Sequence, residues 1–265
     1  MAVLATAAIV LVGLPLWMVV INSFKGQAEA AELSLGLPRA IEAAANYGEV
    51  FHQSRFIAGF MSSLLVTMAS VAALLAVGAP AAWAFARSRS RVMRLAYSVA
   101  IVGVILPPAV VPMVFLMRLV GIQGSQLALI LFTLGLRVSL VVFLMTGFAR
   151  ALPRELEEAA AVDGASRLRT FVQVVLPMMS PVVRTVFVIV TVLTWNDFYG
   201  PLFLLQGDNA TLPVGLYRLS SGIAQATAWN YVFAHVVLVS LPLILLYAFV
   251  QRRIVEGVTA GAIRG

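Results

Sequence analysis

The chain has 265 residues, of which 62% are hydrophobic and 11% are charged, and it contains no cysteine. Soluble domains are typically about 45–50% apolar and about 25% charged, so this composition excludes a protein that is solvated on every side and favours one embedded in a membrane. Without cysteine, disulfides and thiolate metal sites are excluded. Most of the net charge of +7 lies in segments between apolar runs, which indicates membrane orientation rather than binding to nucleic acid.

Six apolar runs have about the length that a helix needs to cross a bilayer. They are Ala2–Ile21, Ile57–Phe85, Leu95–Leu116, Leu127–Phe148, Val182–Leu205 and Tyr231–Val250. The third run contains Pro107, Pro108 and Pro112, which are expected to kink its helix beside a neighbouring helix or a cavity. The predicted fold class is therefore an all-α integral membrane protein with about six transmembrane helices.

The first run, residues 1–21, is predicted to be a transmembrane helix rather than a secretory signal peptide. It is long for a signal core, lacks a basic head and shows no small-residue cleavage pattern at Ile21-Asn22. The missing basic head leads us to expect a longer natural N-terminus. Residues 22–56 are expected to form an external loop with one short helix around Pro38–Ala45, and residues 57–265 the transmembrane core.

The basic residues of the loops predict the orientation of the chain, because cytoplasmic loops carry an excess of lysine and arginine. The residues assigned to the inside are Arg87, Arg89, Arg91, Arg94, Arg150, Arg154, Arg167, Arg169, Arg252, Arg253 and Arg264. Those assigned to the outside are Lys25, Arg39, Arg55, Arg118 and Arg218. This asymmetry predicts a multi-pass protein of the cell membrane with both termini in the cytoplasm.

The longest polar interruption in the second half of the chain, Leu152–Pro181, predicts two short cytoplasmic helices within residues 153–177. Pro153 suits the first turn of a helix, because a residue there needs no N–H. Gly164 is expected to end this helix, since glycine adopts the left-handed conformation at little cost. The first turn also carries acidic residues, the charge that the helix dipole favours there: Glu155, Glu157 and Glu158.

A second helix is expected to begin at Ser166, whose side chain can cap it. It should end near Pro177, because the residue before a proline avoids the helical conformation. The alanines at 159–161 leave a narrow face on the first helix that another protein can approach closely. An ordinary amphipathic loop helix is the alternative interpretation of this segment.

The spacing within this segment resembles the EAA motif of the permease subunits of ATP-binding-cassette (ABC) importers. Glu158-Ala159-Ala160 is followed after three residues by Gly164, and after nine more by Val174-x-Leu176-Pro177, where the family has isoleucine in place of Val174. In that family, which has the type I ABC importer permease fold, the segment is a coupling helix that docks in a groove on an ATPase subunit. The resemblance implies such contacts for Glu158, Ala159, Ala160, Asp163, Gly164, Leu176 and Pro177.

Further stretches along nearly the whole chain are similar to the six-span subunit of the maltose-type carbohydrate permeases. They are Asn46-Tyr47, Ala84–Arg87, Trp195–Asp197 and the glycine-rich tail at residues 257–265. In that subunit the tail reaches between two ATPase subunits, which implies such contacts for Thr259, Gly261 and Gly265. Without the resemblance, the tail would be interpreted as a frayed terminus.

The resemblance implies import of a sugar, an oligosaccharide or disaccharide, by a heteromeric complex. The other members would be a second homologous permease, two P-loop ATPase subunits and an extracytoplasmic sugar-binding protein. ATP and Mg²⁺ would bind those ATPases, because the only lysine of this chain, Lys25, follows Asn-Ser-Phe rather than a glycine-rich loop. We therefore expect no catalytic residue, metal site or cofactor in this chain, and membrane lipid but no nucleic acid as a further partner.

Ionisable residues within apolar runs are costly and are candidates for function. Arg137 and Asp197 are expected at similar depths near the bilayer midplane, where they either pair across two helices or contact the sugar. Asn196 offers donors and an acceptor to sugar hydroxyls, and Trp195 either stacks on a sugar ring or anchors its span at the membrane interface. His235 is expected to be a buried, hydrogen-bonded side chain rather than a ligand.

Two other classes of membrane protein are less consistent with the sequence. A secondary transporter would couple an ion gradient through buried acids and often shows paired repeats, yet Asp197 is the only acid within the runs and no repeat is evident. An intramembrane hydrolase would need a nucleophile and a base on facing helices, and neither HExxH nor GxSxG occurs.

Overall fold

The computed structural model describes residues 6, 9–53, 55–207, 209–221 and 227–262, except for the side chains of residues 53 and 252–262. All regular secondary structure in these ranges is helical, apart from one isolated bridge between Gly124 and Leu205. The chain divides into two compact units. The first comprises Met1–Ser63 and Gln206–Tyr247, and the second comprises Leu64–Leu205 and Ala248–Gly265.

Helices follow one another along the chain with short connections. They are α1 (Ile9–Asn22), α2 (Gln27–Ala31), α3 (Ala43–Gln53), α4 (Phe56–Arg87), α5 (Arg91–Ile105), α6 (Val110–Leu119), α7 (Gln126–Ala151), α8 (Glu155–Val162), α9 (Arg167–Met178), α10 (Ser180–Trp195), α11 (Tyr199–Leu204), α12 (Leu212–Ser220) and α13 (Trp229–Ala262). Both α1 and α9 contain a π-helical turn, at Ile9–Gly13 and Phe171–Val175 respectively.

Three stretches are long and apolar enough to cross a membrane unbroken: α4, α7 and Trp229–Gln251 of α13. The pairs α5–α6 and α9–α10 pass the same test jointly but bend by 114° and 74°, which gives up to 5 spans if each pair is one span. The apolar helix α1 is shorter. A helix therefore lies at the place of every predicted run, but two of the spans are broken.

The third predicted run is broken more sharply than a kinked helix. α5 ends at Ile105 and α6 begins at Val110, with Pro107 and Pro108 between them. Neither proline can donate a backbone hydrogen bond, and each disfavours the helical conformation of the residue before it. Pro112 is tolerated because it lies in the first turn of α6, where N–H groups have no partner within the helix.

The predicted external loop contains more helix than the sequence indicated. Instead of one short helix around Pro38–Ala45, it holds α2 and α3, and α3 begins only at Ala43. Asn46 and Val50 are both buried and lie one helical turn apart. This spacing places them on the same face of α3 and explains why the helix extends beyond the predicted range.

A buried polar network follows α1 in the first unit. Lys25 is fully buried, and its Nζ donates hydrogen bonds to Asn22 Oδ1 at 3.1 Å, to the Ser34 carbonyl at 2.9 Å and to Ser34 Oγ at 2.8 Å. A buried ammonium is costly unless it is hydrogen-bonded, so these contacts stabilise one conformation of the loop. Sequence reasoning treats Lys25 as a loop charge outside any P-loop and misses this burial.

Asn46 connects α3 to two other parts of the first unit. Its Nδ2 donates to the carbonyls of Ser23 and Lys25, both at 2.9 Å, and its Oδ1 accepts from Asn230 Nδ2 of α13 at 2.7 Å. The neighbouring Tyr47 hydroxyl lies 3.0 Å from Ser23 Oγ. The Asn46-Tyr47 pair therefore joins elements that are distant in sequence.

The second unit has an apolar core to which α4, α7, α9 and α10 contribute. Its buried residues are Val71, Leu74, Ala79, Ala82, Val141, Met145, Ala149, Phe171, Val175, Met179, Val186 and Val190. A smaller cluster, which includes Met117, Leu129 and Leu204, packs α6 and α11 against α7. The main core thus holds the polar segment that contains α9 directly against α4 and α7.

Two glycines permit close helix contacts in this unit. A Cβ atom on Gly78 of α4 would clash with Val141 Cγ1 on α7, and one on Gly103 of α5 would clash with Ser139 Oγ on α7. Small residues of this kind let transmembrane helices approach each other closely.

We expect Gly78→Ala to destabilise the protein by about 1–3 kcal/mol, because the added methyl group overpacks the contact between α4 and α7. The matched control is Gly135→Ala on α7, where a Cβ meets no atom within 4 Å. Thermal unfolding in detergent measures both variants. Equal melting temperatures would contradict the close contact.

Candidate functional site

The first helix of the polar segment, α8, begins at Glu155 rather than at Pro153. It ends as predicted, because Gly164 adopts a φ of +78° and donates its N–H to the Ala161 carbonyl at 3.1 Å. A residue with a Cβ atom is disfavoured in this conformation. Gly164 therefore separates α8 from α9.

The second helix, α9, is capped by Ser166 as predicted, with Oγ accepting from the Arg169 N–H at 3.3 Å. As predicted, α9 ends near Pro177, at Met178, although Leu176, the residue before the proline, is itself helical. A π-helical turn, Phe171–Val175, precedes the proline, and Pro177 lies at the start of the α-helical turn that follows. A proline at the start of such a turn costs little, because an N–H there needs no helical partner.

α8 has two sides. Glu158, Ala159 and Val162 are exposed and recur at the spacing of one helix face, whereas Glu157 and Ala160 are partly buried. Leu176, on α9, is also partly buried. Most of the residues predicted to contact an ATPase are exposed: Glu158, Ala159, Asp163, Gly164 and Pro177.

Glu157 joins α8 to the end of α4 through a set of contacts that we call the Glu157 cluster (Trp83, Arg87 and Glu157). Arg87 donates to Glu157 Oε1 from Nε at 2.8 Å and from Nη2 at 2.6 Å, and Trp83 Nε1 donates to Oε2 at 2.9 Å. Arg87 Nη2 also donates to the Leu152 carbonyl at 3.0 Å. The Arg87 and Glu157 side chains are only 15% and 14% exposed.

Sequence reasoning missed the Glu157 cluster. It treated Arg87 as a loop charge and Glu157 as a residue that complements the helix dipole. The available signal was an acidic residue directly before the motif glutamate and a basic residue at the end of a span, but nothing in the sequence showed that the two meet.

A cavity of about 540 Å³ borders the Glu157 cluster. Its other lining residues come from α4, α5, α8 and α9 and the connections between them: Ala84, Ser88, Met93, Ala161, Ala165, Arg167 and Thr170. On α9, the Phe171 ring lies with its centroid 5.5 Å from that of Trp83. Since Phe171 belongs to the main core, Trp83 contacts both the Glu157 carboxylate and the packed interior.

Arg137 and Asp197 form no ion pair within 4 Å, although each lies in the electrostatic field of the other. Arg137 Nη2 donates to the Leu193 carbonyl of α10 at 3.3 Å, and its buried Nε has no hydrogen-bond partner in the described structure. The Asp197 carboxylate accepts from the Gly200 N–H at 3.3 Å, at the start of α11. Both groups thus border the break between α10 and α11.

The neighbouring candidates differ in exposure. Trp195 is only 4% exposed, whereas Asn196 is exposed and donates from Nδ2 to the Val192 carbonyl at 2.9 Å. His235, in the first unit, is 1% exposed and its Nε2 lies 3.3 Å from the Leu212 carbonyl, as expected of a buried, hydrogen-bonded histidine. Among the described residues, no three His, Asp or Glu side chains are grouped to hold a metal ion.

The predicted C-terminal contacts lie mostly beyond what the structure describes. α13 continues to Ala262, so the backbones of Thr259 and Gly261 are helical. The side chain of Thr259 and the whole of Gly265 lie outside the described residues.

The family described as binding-protein-dependent transport system inner membrane component matches residues 75–259. The chain belongs to this family. It is 30% identical to the inner membrane ABC transporter permease protein YcjP of Escherichia coli K12, with 95% of this chain and 91% of that protein covered. It is also 30% identical to the diacetylchitobiose uptake system permease protein NgcG of Streptomyces coelicolor, with 96% and 85% covered.

The fold is similar to that of a chain in the crystal structure of a bacterial ABC transporter involved in the import of the acidic polysaccharide alginate. The TM-score is 0.83 at 21% identity, and 95% of this chain and 93% of that chain are covered. This likeness concerns the fold alone. Together with the family, it confirms the predicted all-α ABC importer permease fold.

The permease is therefore a multi-pass component of the inner membrane that functions with a binding protein. Its family is that of the membrane-embedded component of the transport system rather than of the ATPase. Arg137 and Asp197 border the break between α10 and α11. They are the polar groups of the permease whose role in transport can be tested most directly.

We expect Arg137→Ala to lower the uptake of the delivered solute by about tenfold, because the guanidinium contact to the α10 carbonyl is lost. A second change, Asp197→Ala, should not restore uptake, since it also removes the acceptor for the Gly200 N–H. Uptake by whole cells measures this, with Asp197→Asn as the control that retains an acceptor oxygen. Restored uptake in the Arg137→Ala/Asp197→Ala double variant would instead identify the two residues as a purely structural pair.

Proposed function

We propose that the permease is the transmembrane subunit of an ATP-driven importer that moves an oligosaccharide or disaccharide into the cytoplasm. The relative NgcG is named for diacetylchitobiose uptake, and the structurally similar transporter is described as importing alginate, so both act on carbohydrates. The stretches that resemble maltose-type permeases support the same cargo class. The binding protein would deliver the sugar at the outer face.

The observation that carries the proposal is the exposed side of α8 and α9. It combines motif residues with large apolar side chains that water would not stabilise: Leu156 is 49% exposed, Val162 88%, Leu168 73% and Val172 50%. Exposed apolar side chains grouped on a polar segment are typical of a protein interaction site. An ATPase subunit would dock on this side, as the EAA resemblance implies.

The complete importer would contain a second homologous permease and two ATPase subunits, which bind ATP and Mg²⁺. This chain supplies no P-loop lysine, and its Lys25 is occupied by the buried network of the first unit. The arginine asymmetry supports a topology with both termini and the α8–α9 segment in the cytoplasm. In this topology Thr259, Gly261 and Gly265 would lie on the same side as the ATPases.

Transport would follow from movements of the ATPases. When the ATPases bind ATP and close, the docked α8 would move with them and the spans would open toward the binding protein. The polar groups at the α10–α11 break, Arg137, Asn196 and Asp197, with Trp195 beside them, would contact the passing sugar. A change of state requires that ligands bind the two states with different affinity, which here applies to both ATP and the binding protein.

Co-purification tests the proposal. The tagged permease, extracted gently from its host, should carry a P-loop ATPase and a second permease, identified by mass spectrometry. Gly164→Arg should remove the ATPase, because a bulky side chain at φ +78° costs about 1–2 kcal/mol and lies at the docking side.

The matched control is Gly121→Arg. Gly121 has a φ of +76°, and a Cβ atom there, as at Gly164, would have no atom within 4 Å. Arginine therefore adds the same charge and a similar backbone strain at both positions. Gly121 lies in the turn after α6, which the topology places outside. Loss of the ATPase in both variants, or a wild-type permease that transports sugar without an ATPase, would contradict the proposal.

A further inference from the structure

Two adjacent glutamates of α8 face opposite sides. Glu158 is exposed on the side proposed to meet the ATPase, whereas both carboxylate oxygens of Glu157 are bound by Arg87 and Trp83 of α4. The motif resemblance assigns a role to Glu158 and none to Glu157. Glu157 instead contacts only α4 among the elements to which its side chain is hydrogen-bonded.

The connections of α8 along the chain are short. On one side, residues 152–154 lead from α7 into α8, and on the other, Gly164 separates α8 from α9. These links keep α8 close to α7 and α9. Its position relative to α4, which is distant in the chain, is held by contacts between side chains.

Apolar packing does not supply these contacts next to α4. The cavity of about 540 Å³ lies beside the ends of α4 and α8, so this region is not filled by side chains. The polar contacts of the Glu157 cluster join the two helices at its border. They are charge-assisted hydrogen bonds between side chains that are about 85% shielded from solvent, the class of contact that water and salt weaken least.

Arg87 and Trp83 are themselves held in place. Arg87 Nη2 also bonds the Leu152 carbonyl where α7 ends, and the Trp83 ring packs on Phe171 of the main core. The Glu157 carboxylate thus meets two donors whose positions are set by the end of α7 and by the core. A displacement of α8 must either carry the end of α4 with it or break these contacts.

We propose that the Glu157 cluster makes α8 and the adjoining end of α4 move as one body, so that ATPase movements pass directly from α8 to a membrane-spanning helix. Glu157 is then a positioning residue for transport: it contacts neither sugar nor ATPase. This inference rests on the proposed function and adds the link between the docking side and the spans.

The first test measures distances in the assembled importer with ATPases and binding protein. Because the chain has no cysteine, Val77→Cys on α4 and Arg154→Cys at the start of α8 give it a single pair of thiols at exposed sites, which are spin-labelled before assembly with the unlabelled partner subunits. With Glu157 present, the distance between labels should be the same without nucleotide and with bound ATP. In the Glu157→Ala variant, the distribution of distances between the two labels should shift or broaden when ATP binds. A distance that changes with Glu157 present, or one that stays fixed in Glu157→Ala, overturns the proposal.

The second test compares sugar imported with ATP hydrolysed in proteoliposomes. Glu157→Gln removes the charge with little change in shape and should lower this ratio by about tenfold, as expected for the loss of charge-assisted hydrogen bonds. Glu155→Gln, an equal charge change at an exposed position of the same first turn, should leave the ratio unchanged. An unchanged ratio in Glu157→Gln, or an equal fall in both variants, overturns the proposal.

Two features keep these tests distinct from other failures. Trp83→Phe removes the indole N–H, replaces the indole by a smaller ring and keeps an aromatic side chain beside Phe171, so it should lower the same ratio even if Glu157→Ala does not fold. All variants should still co-purify with the ATPase. A wild-type permease without an ATPase would refute the proposed function itself, whereas a normal complex with an unchanged ratio would refute only the role of Glu157.

Discussion

A buried polar group in this permease is costly without a partner, because the surrounding apolar side chains and lipid offer none. This constraint accounts for the helices, whose backbones satisfy themselves, and for the polar contacts that join them. Lys25 is surrounded by neutral oxygens, Asn46 uses both ends of its amide, and Glu157 uses both carboxylate oxygens. The apolar residues fill the core, and these polar contacts join segments that are distant in the sequence.

The features that sequence predicts well are local. An apolar run predicts a span by its length, and Gly164 and Ser166 predict a helix end and a helix start through their own backbone and side-chain chemistry. The ABC importer fold follows from the spaced EAA pattern, which covers a single short segment. Each of these predictions needs only residues that are near one another in the chain.

The features that sequence misses depend on residues that are far apart. Asn46 and Asn230 are 184 positions apart, and Arg87 and Glu157 are 70 apart. The periodicity of apolar residues along the chain does not indicate contacts between residues so distant in sequence. The same limit applies to the broken spans. Pro107 and Pro108 predict an interruption but not the size of the bend, which is 114°. The continuation of α9 through Pro177 depends on the π-helical turn before it.

The shielding of the Glu157 cluster has a consequence for cells under osmotic stress. When the ion content of the cytoplasm rises, the interaction between exposed charges more than about 8 Å apart is largely screened. The interaction between two partly buried charges in direct contact is weakened much less. In the proposed importer, an attraction between subunits through exposed charges such as Glu158 would therefore weaken, while the Glu157 cluster within the permease would persist. Osmotic stress would thus reduce how often the subunits engage and leave unchanged what each engagement transmits.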